Sequence, residues 1–149
     1  MPRIRRAATV AWDGSLSRGA GIVGGGSSGA FSLPFTLASR IADPEGKTSP
    51  EELLAAAHAC CFSTSLAGEI ARAGGTVVHV DVTCEITLDE VEGGDHRIVA
   101  SALDARARVE GLDDAGLDRA AEAADRGCPL SALVRGTASV SVQARMESS

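Results

Sequence analysis

The chain has 149 residues and a formal net charge of -6, with 44% hydrophobic residues, 3% aromatics and no Tyr. That length sets an expectation of one domain over residues 1–149, with a core built from aliphatic and small side chains. The acidic balance argues against a nucleic-acid backbone as partner, and so few aromatics leave no stacking platform for single strands. No apolar run reaches the ~18 residues of a membrane span, so no membrane partner is expected. The start, MPRIRRAATV, is basic and lacks an apolar leader core. A cytoplasmic location is expected, where the four cysteines are thiols by default and any disulfide is transient.

The first third reads as β structure. ATVAW, residues 17–23 and AFSLPF are short runs separated by Gly and Ser, and Asp13-Gly14 is a hairpin-turn pair. The run from Gly24 to Gly29 reads as a flexible connection; it lacks the Lys-Ser/Thr of a phosphate loop.

A long helix starts at Ser49-Pro50-Glu51-Glu52. Ser49 caps, Pro50 suits the first helical position, and Glu52 completes Ser-x-x-Glu as a capping box. Gly74 and Gly75 stop it. Residues 53–67 carry no charge except what His58 can hold. A helix apolar all round must be covered on nearly every side, which points to two such helices packing in a dimer.

VVHVDVTCEITL alternates, with Val78, Val80, Val82, Cys84, Ile86 and Leu88 expected on the inward face and Cys84 as core filler. A turn at Glu92–Asp95 leads to RIVASALDARARV, with Val99, Leu103, Ala105, Ala107 and Val109 on one side. A second helix is expected near Asp113, with Leu117, Ala121, Ala124 and Cys128 on one stripe. Gly127 ends it, Cys128-Pro129 opens a short third helix, and TASVSVQAR is the last strand. The order predicts an α+β fold with largely antiparallel strands.

The chemistry-bearing candidates are few. Cys61 sits within the apolar helix, and Cys128 stands at a helix start, where free amides and the helix dipole favour a thiolate. Two such thiols suit peroxide reduction, in which one sulfur attacks and the other resolves the product as a disulfide. Arg40 and Arg18 are the candidate thiolate-stabilising cations. Glu51 is the candidate acid; ten residues of helix rise ~15 Å, so it reaches a Cys61 thiol only on an antiparallel partner helix. His58 and Cys61 are three apart, but no second ligand pair has metal-site spacing, so a buried, hydrogen-bonded His is expected and no metal.

TSPEELLAAAHACCFS and RGCPLSALVRG resemble the two signature segments of the OsmC/Ohr family, the osmotically inducible and organic-hydroperoxide-resistance peroxidases. AWDGSLSRGAG and LPFTLASRIADPEGKTSPEELL are similar to the OsmC branch, and the likeness spans nearly the whole chain. The resemblance implies an intertwined homodimer with antiparallel sheets wrapped around two long central helices. It implies a thiol peroxidase acting on organic hydroperoxides in preference to hydrogen peroxide, with no bound cofactor and an external dithiol, such as a lipoylated protein, as reductant. It places the attacking thiol at Cys61, the resolving thiol at Cys128, the acid at Glu51 and the arginine at Arg40, with Arg18 as the other candidate. Cys60 departs from the family pattern, which commonly has a small residue there. The competing reading is a non-catalytic member on the same fold, either an apolar-ligand-binding or a stress-induced structural dimer.

Overall fold

The computed structural model describes residues 1–147, which divide into two compact units meeting in sequence at Leu53/Leu54. In the first unit, β1 (Thr9–Asp13), β2 (Ala20–Gly24) and β3 (Ser32–Phe35) form an antiparallel sheet in the order β1-β2-β3. The expected hairpin at Asp13-Gly14 is a longer connection. Gly14 takes a positive φ of 95°, and the Gly19 amide donates to the Ser15 carbonyl at 2.7 Å, so β2 starts later than the sequence indicates. The glycine-rich run is a closed loop, with Gly25 donating to the Phe31 carbonyl at 3.0 Å.

Register places Val10, Trp12, Gly21, Val23, Leu33 and Phe35 on one face. The Trp12 and Phe35 rings lie 5.6 Å apart across Gly21. A Cβ on Gly21 would come within 2.5 Å of the Phe35 ring, so only glycine fits between the rings. Val23 is buried, but Val10 stays 60% exposed.

A helix absent from the sequence reading, α1 (Leu37–Ile41), follows β3. Thr36 caps it in a reciprocal box with Ser39, a variant in which serine replaces the usual Glu or Gln. Ser39 Oγ also donates to the Thr48 carbonyl at 2.8 Å, tying α1 to the chain that enters the long helix.

That helix, α2 (Pro50–Arg72), begins where expected. Ser49 Oγ accepts from the Glu52 amide at 3.2 Å, but the Glu52 carboxylate accepts from Thr48 Oγ1 at 2.7 Å, so the predicted box is half-closed. At the far end Gly74 has φ 91°, and Gly75 donates back to the Ile70 carbonyl at 2.9 Å, closing the helix as its glycines predict. By length and composition α2 can cross a membrane, which corrects the expectation that no stretch is long enough. His58, Ser63, Thr64, Ser65 and Gly68 interrupt its strictly apolar run without making it polar. Its His58, Phe62, Leu66 and Ile70 are nevertheless buried, the spacing of a core-facing stripe.

The second unit adds β4 (Thr76–Glu90), β5 (His96–Glu110), α3 (Asp114–Gly127), α4 (Pro129–Arg135) and β6 (Ser139–Met146). The strands form one sheet in the order β4-β5-β6. β4 and β5 are antiparallel and β6 runs parallel to β5, so three of the four strand pairings are antiparallel, as the largely antiparallel expectation has it. The α3–α4 crossover carries the chain back to the end of the sheet where β5 began, which makes the parallel pairing possible.

The predicted parity of β4 fails at one point. Val77 pairs with Val109 and His79 with Arg108, leaving Val78 as the extra residue of a bulge. Val78 therefore faces outward at 55% exposure, and Val77 takes its place against the core. Beyond the bulge Val80, Val82 and Cys84 point inward as expected. Phe62, Leu66 and Ile70 join Leu103, Ala105, Ala107, Leu117, Ala120, Ala121, Ala124 and Cys128 in one core. Asp113 caps α3 by accepting from the Gly116 amide at 2.7 Å.

Candidate active site

Two chain segments far apart in sequence bring their sulfurs together. Cys61 lies on α2 directly before the buried Phe62, and Cys128 is the residue between α3 and α4, capping the latter. Their Sγ atoms are 3.1 Å apart across 67 positions of sequence, and both are free thiols. Cys128 is 1% exposed, Cys61 is half-buried, and Cys60, one residue earlier and so on another helix face, is exposed. Of the adjacent pair, Cys61 is the one that meets Cys128.

The pair is electrostatically asymmetric. Burial alone would raise the Cys128 thiol. Hydrogen bonding from Cys61, from the Ser131 amide and hydroxyl and from the Leu130 amide outweighs burial and holds Cys128 below the ordinary thiol value. Burial pushes Cys61 up; the Leu130 amide opposes this, but proximity to Cys128 and Cys60 adds to it. Of the two, Cys128 is the more readily ionised thiol and Cys61 the less.

Arg40 and Glu51 belong to the first unit. Arg40, on α1, donates through Nε to Glu51 Oε1 at 2.8 Å, and its Nη2 lies 2.6 Å from the same oxygen. The pairing is double but falls on a single carboxylate oxygen. Glu51 Oε2 is buried and unpartnered among the described residues. The carboxylate is 13% exposed and the guanidinium 42%, so the arginine keeps an open side. Arg18 forms no ion pair among the described residues; its amide donates to Ser15 Oγ at 3.2 Å. Beside Arg40 an open pocket of about 360 Å³ is lined by Trp12, Leu16, Phe35, Leu37 and Pro50.

Sequence reasoning placed His58 in the interior without finding its partners. Its Nδ1 lies 2.6 Å from Ser101 Oγ and its Nε2 lies 2.8 Å from Ser131 Oγ. Ser101 shares the inward parity of Leu103, Ala105 and Ala107, and that was the available signal. Ser131 sits in the opening turn of α4, three residues after Cys128. Cys84, expected as filler, places its sulfur 3.2 Å from Ser101 Oγ. Burial lowers the His58 pKa; the charge of Asp125 opposes this and that of Arg135 reinforces it. No cluster of three or more His, Cys, Asp or Glu with metal-site geometry occurs among the described residues.

Residues 43–143 match the family model described as OsmC-like protein. The chain is 34% identical over 132 residues to Peroxiredoxin OsmC of Escherichia coli strain K12, covering 89% of this chain and 91% of that protein. Among solved structures, it superposes on the organic hydroperoxide resistance protein OhrB of Bacillus subtilis with a TM-score of 0.73 at 22% identity, over 93% of this chain and 98% of the other. It also superposes on an organic hydroperoxide resistance protein OsmC of Legionella pneumophila with a TM-score of 0.73 at 21% identity, over 95% and 98%. The chain belongs to the OsmC-like protein family.

Proposed function

We propose that the protein is a thiol-dependent peroxidase that reduces organic hydroperoxides in preference to hydrogen peroxide. The observation that carries this reading is the 3.1 Å approach of the reduced Cys61 and Cys128 sulfurs. A relative named Peroxiredoxin OsmC, 34% identical, supports a peroxide-directed redox role. The open apolar pocket beside Arg40 supports an alkyl-bearing substrate.

Cys61 is the attacking sulfur because it is the more accessible of the two. Its raised pKa makes an added cation necessary, and Arg40, oriented by Glu51, supplies it. Glu51 and Cys61 are ten residues apart on one helix, a rise of ~15 Å. We therefore assign the Arg40–Glu51 pair to the Cys61 thiol of a second protomer in a homodimer. Cys61 attacks a peroxide oxygen and the O–O bond breaks. The Cys61 proton passes through Cys128 to the departing alkoxide, giving an alcohol and a Cys61 sulfenic acid. The Cys128 thiolate then attacks the Cys61 sulfur. The S–S bond forms, the S–O bond breaks, and hydroxide leaves to become water. An external dithiol, such as a dihydrolipoyl group on a protein, returns two electrons and two protons. The cycle needs no bound cofactor, and it suits a reducing compartment such as the cytoplasm.

The test is peroxide consumption with cumene hydroperoxide beside hydrogen peroxide, using a dithiol reductant. Faster loss of the organic peroxide, abolished by Cys61→Ser, is expected. Absence of turnover with both substrates, together with saturable binding of an apolar ligand, would instead establish the non-catalytic reading.

A further inference from the structure

A line of buried polar contacts runs through the core of the second unit toward the thiol pair. Cys84 Sγ meets Ser101 Oγ at 3.2 Å, Ser101 Oγ meets His58 Nδ1 at 2.6 Å, and His58 Nε2 meets Ser131 Oγ at 2.8 Å. His58 and Ser131 are fully buried and Ser101 is 1% exposed. The line links β4, β5, α2 and α4. Burying an imidazole and two hydroxyls is costly unless every group is satisfied, and apolar residues of the same volume often serve stability as well. Packing therefore does not account for the line.

Its proton arithmetic is restrictive. A neutral imidazole has one donor nitrogen and one acceptor nitrogen, and each serine hydroxyl has one proton. If Nδ1 carries the hydrogen, Ser131 must donate to Nε2 and its proton is spent. If Nε2 carries it, Ser131 accepts from His58, and the Ser131 proton is free for another acceptor. Ser101 then donates to Nδ1, and the Cys84 thiol can donate to Ser101.

We propose that His58 is a positioning residue for Cys128: held as the Nε2–H tautomer by the Ser101 hydroxyl, it leaves the Ser131 proton for the Cys128 sulfur. Ser131 stands three residues after Cys128, in the turn that Cys128 caps. The Ser131 hydroxyl is among the groups that draw the Cys128 pKa down. His58 is kept neutral chiefly by burial, which outweighs the attraction of Asp125 and is joined by repulsion from Arg135. The other titratable groups on the line are the Cys84, Cys128 and Cys61 thiols. Asp125 and Arg135 themselves form an ion pair. In the peroxidase cycle, on which the use of this device rests, a readily ionised Cys128 speeds resolution and shortens the life of the Cys61 sulfenic acid.

The test needs no peroxide. The reduced protein is alkylated with iodoacetamide across pH, and the rate at Cys128 is read by peptide mass spectrometry. Ser131→Ala and Ser101→Ala should each raise the Cys128 midpoint by about one pH unit. The double variant should shift no further than Ser131→Ala alone, because both changes cut the same line. A wild-type midpoint in Ser101→Ala, or additive shifts in the double variant, would overturn the proposal. A shifted midpoint in a protein that turns over no peroxide would leave this device standing and remove the peroxidase reading instead.

Discussion

The second unit closes a core around Phe62, Leu66 and Ile70, with Leu103 and Leu117 at no more than 2% exposure. The first unit buries Val23 but leaves Val10, on the same sheet face, 60% exposed and Leu33 37% exposed. The functional groups divide along the same line. The thiol pair sits inside a finished core with its hydrogen bonds made, whereas the Arg40–Glu51 pair keeps an open guanidinium side and an orphaned Oε2. A nucleophile that must meet a resolving sulfur gains from rigid placement, and a group that must greet substrate gains from staying open. An apolar sheet face left exposed marks a surface that lacks cover in one chain. A second copy of this chain, as proposed above, would cover that face.

The largest expected effect isolates the thiol half. Cys61→Ser should abolish turnover, whereas Cys60→Ser, altering an exposed side chain, should leave most of it. In Cys128→Ser a single equivalent of organic hydroperoxide should still oxidise Cys61 once, to a sulfenic acid that persists or over-oxidises. Peptide mass spectrometry of the wild-type protein should show a Cys61–Cys128 disulfide reversible by dithiols. A Cys60–Cys61 or Cys61–Cys84 linkage with Cys128 free would remove Cys128 from the resolving role.

The next effect isolates the charged half. Arg40→Ala should lower kcat by about 10²-fold or more, the scale of losing one preorganised group at a developing charge. It should also lower the melting temperature, because it leaves the largely buried Glu51 carboxylate, 13% exposed, without its ion-pair partner, so kcat is read well below the variant's unfolding transition. Arg18→Ala should leave kcat within a few-fold of wild type. If Arg18→Ala proves the more damaging, the pairing with Glu51 is structural and the arginine assignment reverses.

Much of this division is legible in the sequence. Ser49-Pro50 and Gly74-Gly75 mark both ends of α2 because caps and stops are local chemistry, set by the residues that make them. The meeting of Cys61 with Cys128 is not local, and it came from family resemblance rather than from spacing. The outward turn of Val78 escaped because a bulge shifts parity without changing the hydrophobic pattern. α1 escaped because five residues are too short for a periodic signal and Thr36–Ser39 is an unusual box. Ser101 and Ser131 escaped because a serine reads as surface until its buried partner, here His58, is placed. The parallel β6 could have been anticipated, since two helices between β5 and β6 give the chain the length to return.

The open sheet face offers an intermediate effect. Leu33→Glu places a charge among Val10, Val23 and Phe35 on that face. If a second protomer covers it, the dimer should weaken by a few kcal/mol, through lost apolar burial and an unpaired charge. Sedimentation velocity across a dilution series should show dissociation at concentrations where the wild type stays dimeric. A wild-type chain that is a stable folded monomer at micromolar concentration would end the dimer reading and leave the first unit's open face unexplained by self-association.

The smallest effect tests the completeness of the second unit's core. Burial holds the His58 pKa below the ordinary imidazole value of 6.5, so between that value and the folded-state pKa the unfolded chain binds more protons than the native one. Stability from this group is fully present above pH 6.5 and is lost as pH falls from there toward the folded-state value. One proton sets the ceiling on the slope, about 1.4 kcal/mol per pH unit. Thermal denaturation of the reduced protein should show the melting temperature falling between pH 7 and pH 5. Subtracting the profile of His58→Gln, which keeps polar groups but does not titrate, isolates the His58 share from the carboxylates that also protonate. A His58→Gln profile with the same slope as wild type would mean that His58 accepts a proton in the folded core. The Ser101–His58–Ser131 line would then be an open, solvated site rather than part of a finished interior.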